Sequence, residues 1–236
     1  MGETATVLEF DDLVAPRLTD VQRQILDHTE SRVVDLDMDR MLAEAVEQAG
    51  VDDLDEADGV LARVAAYVAA IEADDGLTQL IRGTLRSRVV RLLRNRLSLT
   101  GFIKRYPEVE AIEIDRPIIV VGMPRSGTTH LVNLLAADTR RRALPYWESR
   151  EPMPLPGQGP DTFGIDPRYT AAKGEHEAMM VSAPHTAALH DRLPEAIEEE
   201  CELQDLDFSA YVLEWHARVP GWRDFYLGLD QTRHYA

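Results

Sequence analysis

The stretch IIVVGMPRSGTTH, Ile118 to His130, holds the residues best suited to chemistry. Gly122, Gly127 and Thr129 fall in the register of the phosphate-binding pattern G-x-x-x-x-G-K-[ST], but Thr128 stands where the lysine belongs. A strand, a glycine-bounded turn and a helix in succession bring backbone N–H groups and the positive end of a helix to one point, which is a site for an anion. Glycine at 122 and 127 lets the backbone bend and approach an oxyanion where a Cβ would obstruct. Thr128 and Thr129 add hydroxyls, and Arg125 a fork of donors that holds two oxygens of a phosphate or sulfate at once. A kinase or ATP-hydrolysing loop needs its lysine to reach the β and γ phosphates and its Ser/Thr to hold magnesium, so the missing lysine argues against both.

GMPRSGTTHL, Gly122 to Leu131, resembles the 5′-phosphosulfate loop of sulfotransferases that use 3′-phosphoadenosine 5′-phosphosulfate (PAPS), in particular the bacterial branch with P-R-S-G-T-T. The resemblance implies an α/β fold with a P-loop-type parallel sheet flanked by helices, no metal, and sulfuryl transfer to a hydroxyl of a small or lipid-like acceptor. It makes Pro124, Arg125, Ser126, Gly127, Thr128 and Thr129 the residues around the cofactor's 5′ phosphate and sulfuryl group. Arg125 then neutralises the charge that builds on the bridging oxygen as the S–O bond breaks. Transfer to a hydroxyl also needs a group that takes the acceptor's proton. The segment APHTAALHDRLPEAIEEECELQ, 183–204, resembles the family's His, Pro and paired-glutamate segment, which points to His190, Glu199 and Glu200, with His185 behind them. A solvated acidic helix face accounts equally well for Glu195, Glu198, Glu199, Glu200 and Glu202.

The elements that position these residues divide near residue 106. Before it, LDMDRMLAEAVEQAG, 36–50, has helical spacing and stops at Gly50, and DEADGVLARVAAYVAAIEADDG places Val60, Val64, Tyr67, Val68 and Ile71 on one face. A third helix is expected from Leu77 to Phe102. Its Ile81, Leu85, Val89 and Leu92 form an apolar stripe, and Arg88, Arg91 and Arg94 lie mostly opposite it. That pattern predicts a packed helix with a solvated charged face rather than a membrane-surface helix. From residue 107 the period changes: PIIVVG reads as a strand buried on both faces, Ser126–Ala137 as a helix capped by Ser126 or Thr128, and RALPYWE as a second strand. Further helices are expected over Arg168–Val181, Pro194–Leu206 and Phe208–His216. The expected organisation is thus a helical N-terminal region, 1–106, and the first part of a nucleotide-binding sulfotransferase-like α/β domain, 107–236.

The rest of the chain bounds the answer. With 44% hydrophobic and 28% charged residues it has the composition of a globular protein, and no apolar run approaches membrane-spanning length. A net charge of -17 disfavours nucleic acid as a partner. Cys201 is alone and the N-terminus lacks a signal core, which together point to the cytoplasm. GEHEAMM fails the zinc pattern H-E-x-x-H because Met180 takes the second histidine's place, and no metal constellation remains. Trp147, Phe163, Tyr169, Met179, Met180, Trp215 and Trp222 read as core. The arginine and serine with which the family grips the 3′ phosphate are not found, and Pro117–Val121 and Ala143–Trp147 are the only strand candidates, so the expectation is an incomplete sheet, weak catalysis in isolation and a partner chain completing the fold. A truncated binding or assembly module and a nucleotide kinase with an altered loop stand as the alternative readings.

Overall fold

The structure is a computed structural model that describes residues 11–12, 14–54, 59–123, 126–154, 156–186, 192–230 and 232. Helix α1, Asp20–Glu30, starts with a reciprocal cap in which the Thr19 hydroxyl accepts from the Gln22 amide at 3.2 Å and the Gln22 side chain accepts from the Thr19 amide at 2.9 Å. Helix α2, Met38–Ala49, is capped by Asp37 and closes on Gly50 at φ 64°, the left-handed conformation that glycine adopts without strain. Helices α3, Val60–Glu72, and α4, Gln79–Arg105, follow, the second capped by Thr78. Then come α5, Thr128–Ala136, α6, Tyr146–Arg150, and α7, Pro167–Ser182. The stretch 194–206, expected as one helix, holds only the single turn Cys201–Gln204 before the 3-10 turn Asp205–Asp207, and α8 is Pro220–Leu227.

Helix α4 is the central element. Its Leu85, Val89, Leu92, Leu93 and Leu97 share one core with Met41 and Ala45 of α2 and with Val64, Tyr67 and Ile71 of α3. Leu206, Phe208, Leu213 and Trp222 enter the same core from the far end of the chain. Tyr67 fixes this junction: its ring meets Trp222 edge-on at 5.3 Å and its hydroxyl donates to the Leu213 carbonyl at 3.1 Å. Of the side chains expected in the core, Trp222 is fully buried, whereas Phe163, Trp215 and Met180 are exposed.

The expected α/β architecture is not what forms. Among the described residues there is no sheet, and the elements are helices and 3-10 turns. The run Pro117–Val121 has no strand partner, and Ile119 and Val121 are 76% and 87% exposed. A strand exists only through ladder bonds to a neighbour, and β-branched composition cannot replace them. The second candidate, Ala143–Trp147, turns into α6 instead. Its backbone finds partners in the segment just before Cys201: Tyr146 and Trp147 donate to the carbonyls of Ala196 and Pro194 at 2.8 and 3.1 Å, and Glu198 donates to Leu144 at 2.8 Å. One antiparallel bridge, Pro145 to Ile197, results.

The arginine face of α4 is not solvated either. Arg88 and Arg91 are buried, because two carboxylates with the same three-residue spacing pack against them: Arg88 pairs with Asp205 and with Glu202 at 3.3 Å, and Arg91 pairs with Glu202 at 2.8 Å. Arg91 and Asn95 also donate to the Arg150 carbonyl, at 2.7 and 3.0 Å, and Arg94 pairs with Glu151. Arg82 turns to the end of α3, donating to the Ile71 carbonyl at 3.0 Å. No described helix is long and apolar enough to cross a membrane.

Burial opposes the Glu202 charge, but the guanidiniums of Arg91, Arg88 and Arg150 overcome it and hold the carboxyl down at about 2. Burial pushes Asp205 up to about 6, outweighing the pull of Arg88. The two act with opposite sign on stability. The contribution of Glu202 is complete above its ordinary value of roughly 4.3 and is lost as pH falls towards about 2. The cost of ionised Asp205 is relieved as pH falls through about 6. Glu202→Gln is therefore expected to lower the unfolding free energy at neutral pH by about 3–5 kcal/mol, since it strands buried guanidinium charge. In urea titrations across pH, its acid limb below pH ~4 is shallower than that of the wild type, and Asp205→Asn flattens the limb between pH ~7 and ~5.

Candidate functional site

The loop before α5 has the geometry that glycine alone permits. A Cβ on Gly122 would lie 2.7 Å from the Thr128 methyl and 2.9 Å from the Ser126 hydroxyl, so the chain folds back on itself at a separation no other residue allows. Gly127 sits at φ 96°, with nothing within 4 Å of where a Cβ would be, so that side of the turn is open. Gly127 is also the N-cap of α5, and no side chain caps this helix, contrary to the expectation for Ser126 or Thr128. The first amides of α5, from Thr128 to His130, thus have no intrahelical acceptor and no side-chain cap at the positive end of a nine-residue helix. Ser126, Gly127 and Thr129 are exposed.

Glu199 comes to this loop from 70 residues further along the chain: its Oε1 accepts a hydrogen bond from the Thr129 hydroxyl at 3.2 Å. Its Oε2 faces the Cys201 thiol at 3.9 Å. Burial, with Glu199 and Glu200 nearby, pushes that thiol up to about 12, so Cys201 stays protonated and donates. Glu200 faces elsewhere. It heads the Cys201–Gln204 turn, and its carboxylate accepts from the Gln204 side chain at 3.3 Å. The structure therefore brings Thr129 and Glu199 together and leaves Glu200 apart, while Ser126, Gly127 and Thr128 form the turn beside them. Pro124, Arg125 and His190 lie outside the described residues. His185 is exposed at the end of the α7 segment.

Sequence reasoning missed the groups that hold Glu199 in place. Glu202, three residues after it, is clamped by Arg91 and Arg88, and Asp205 by Arg88. The available signal was the equal spacing of Arg88 with Arg91 and of Glu202 with Asp205, which lets two helical turns pair charge for charge.

An exposed helix start lies behind a glycine-bounded turn, and the Glu199 carboxylate accepts from its first-turn threonine. The sequence model of the sulfotransferase family matches residues 117–235, about half of the chain, and the chain belongs to that family. Its structure is similar to that of sulfotransferase STF1 from Mycobacterium tuberculosis, with a TM-score of 0.69 and 27% identity over 88% of this chain and 55% of that one. It is also similar in fold to sulfotransferase STF9 from Mycobacterium avium, with a TM-score of 0.69 and 23% identity over 84% of this chain and 50% of that one. The chain thus spans about half the length of the sulfotransferases it matches. No curated protein matches it in sequence.

Gly122→Ala tests the loop geometry directly. The added methyl must displace Thr128 or Ser126 from 2.7 and 2.9 Å, so sulfate affinity in calorimetric titration is expected to drop by about tenfold or more, with thermal stability nearly unchanged because the loop is exposed.

Proposed function

We propose that the chain binds PAPS through the loop Pro124–Thr129 and serves sulfuryl transfer to a hydroxyl of a small or lipid-like acceptor. The observation that carries this reading is the Thr129–Glu199 hydrogen bond, which sets a carboxylate beside an open, positively polarised helix start. A donor site and a proton acceptor must adjoin for such a transfer, and these two do.

The residues present suit the nucleotide's sulfated end. The uncapped amides of Thr128 to His130 and the Ser126 hydroxyl are the donors for the anionic oxygens, and Gly127 leaves its side of the turn open. The nucleotide, when bound, supplies the sulfuryl group, whose bond to the bridging oxygen breaks as the acceptor oxygen bonds to sulfur. Arg125 is proposed to neutralise the charge left on that bridging oxygen. Glu199 takes the acceptor's proton, its carboxylate being held in place by the Thr129 hydroxyl and the Cys201 thiol, which both donate to it. Glu200, turned to Gln204, and His190 are the second choices for that role. A binding module without turnover is the other reading, and the exposed, unpaired run Ile118–Val121 favours it, since apolar surface of this kind invites a partner chain.

Calorimetric titration with 3′,5′-bisphosphoadenosine, paired with transfer assays on phenols and alcohols, separates the two. Arg125→Ala is expected to abolish nucleotide binding, and retention of binding would remove the loop assignment. Glu199→Gln should leave nucleotide affinity within about twofold and cut turnover by about 10²–10⁴. Unchanged turnover in that variant rules out Glu199 as the base, and nucleotide binding with no transfer to any acceptor supports the module.

A further inference from the structure

The Thr129 hydroxyl has one proton, and that proton goes to Glu199 Oε1 at 3.2 Å. A hydroxyl has no second proton to give, so an anionic oxygen and the Glu199 carboxylate cannot both accept from it. The two also compete for the same field, because a negative charge of either origin is stabilised at the start of a helix. The rest of the turn is open: no side chain caps α5, Ser126 and Gly127 are exposed, and nothing lies within 4 Å of where a Gly127 Cβ would be. Glu199 thus takes, from within the chain, one of the donors that an incoming oxyanion would use.

The backbone around Glu199 is pinned on both sides. Ahead of it, the Glu198 amide donates to Leu144 at 2.8 Å, and the Glu199 amide donates to the Glu198 carboxylate at 3.1 Å. Behind it, Glu202 is held by Arg91 at 2.8 Å. The main chain is therefore fixed and only the side chain is left to turn. Thr129 is exposed and Glu199 half-buried, so separating them breaks no core packing. One hydrogen bond of this kind corresponds to about fivefold in an equilibrium constant, little enough for a ligand to overcome and enough to measure.

We propose that the Thr129–Glu199 bond is an autoinhibitory latch on the donor loop: Glu199 withholds the Thr129 hydroxyl until an anionic oxygen of the donor takes it, and the carboxylate is thereby released. The latch rests on the reading of this loop as the donor site. Arrival of the donor is then the event that frees the proton acceptor, and Cys201 remains beside its Oε2. The test is calorimetric titration of 3′,5′-bisphosphoadenosine into the whole chain as wild type, Glu199→Ala, Glu199→Gln, Thr129→Val and the Thr129→Val, Glu199→Ala double variant, with folding checked by circular dichroism. Glu199→Ala frees the hydroxyl and is expected to bind about fivefold to tenfold more tightly, whereas Glu199→Gln, whose amide oxygen still accepts, stays within about twofold of the wild type. Thr129→Val is expected to change wild-type affinity by about twofold or less and to remove the whole gain in the Glu199→Ala background. Wild-type affinity in Glu199→Ala, additive effects of the two substitutions, or equal tightening in Glu199→Ala and Glu199→Gln, which assigns the effect to charge alone, each overturns the latch and leaves the donor loop standing. No nucleotide binding in any variant, Glu199→Ala included, overturns the donor loop and the latch together.

Discussion

Two guanidiniums one turn apart on α4 meet two carboxylates one turn apart near Cys201, and the remaining geometry follows from that pairing. Arg88 and Arg91 are taken out of water, where single charges would be untenable, and they are tolerated because Glu202 and Asp205 fill their outer nitrogens. The pairing positions the turn Cys201–Gln204, and the backbone just ahead of it is held by its bonds to Leu144, Tyr146 and Trp147. Glu199 lies between these two anchors, so its carboxylate meets Thr129 without any strong contact of its own. The same arginines also line the cleft between α2, α4, α6 and α7.

The charge distribution makes sense in that light. An acidic chain repels anionic ligands at a distance, and at physiological ionic strength that repulsion fades within roughly 8 Å of the surface. What decides binding is the local set of donors. At the loop these are the main-chain amides of a helix start, whose partial charges are fixed by the backbone, and the hydroxyl of Ser126. Both are organised before any ligand arrives, which lowers the entropy that binding must overcome.

The run Pro117–Val121 has the composition of an interior strand but lies open, and the chain nevertheless shares its overall fold with sulfotransferases of which it spans about half. The helices take their shape from bonds between near neighbours and from one shared core. A parallel sheet is different in kind. Its strands exist only in each other's presence, so a single β-branched segment stays extended and exposed until another backbone pairs with it.

What was legible in the sequence was local. Gly50 ended α2, and Gly122 and Gly127 marked the turn before α5, because left-handed backbone and close approach depend on a few consecutive residues. The turn that leads Ser126 and Gly127 into α5 could be read for the same reason. The burial of Arg88 could not, since its partner Asp205 stands 117 residues away, and an arginine stripe on a helix looks the same whether it meets water or carboxylates. The choice of Glu199 over Glu200 beside the loop and the absence of a sheet among the described residues were likewise decided by which distant segments meet. Residue types and spacing determined which chemistry this chain has to offer, and only the tertiary structure decided where it is gathered, because long-range pairing leaves no periodic trace in a single sequence.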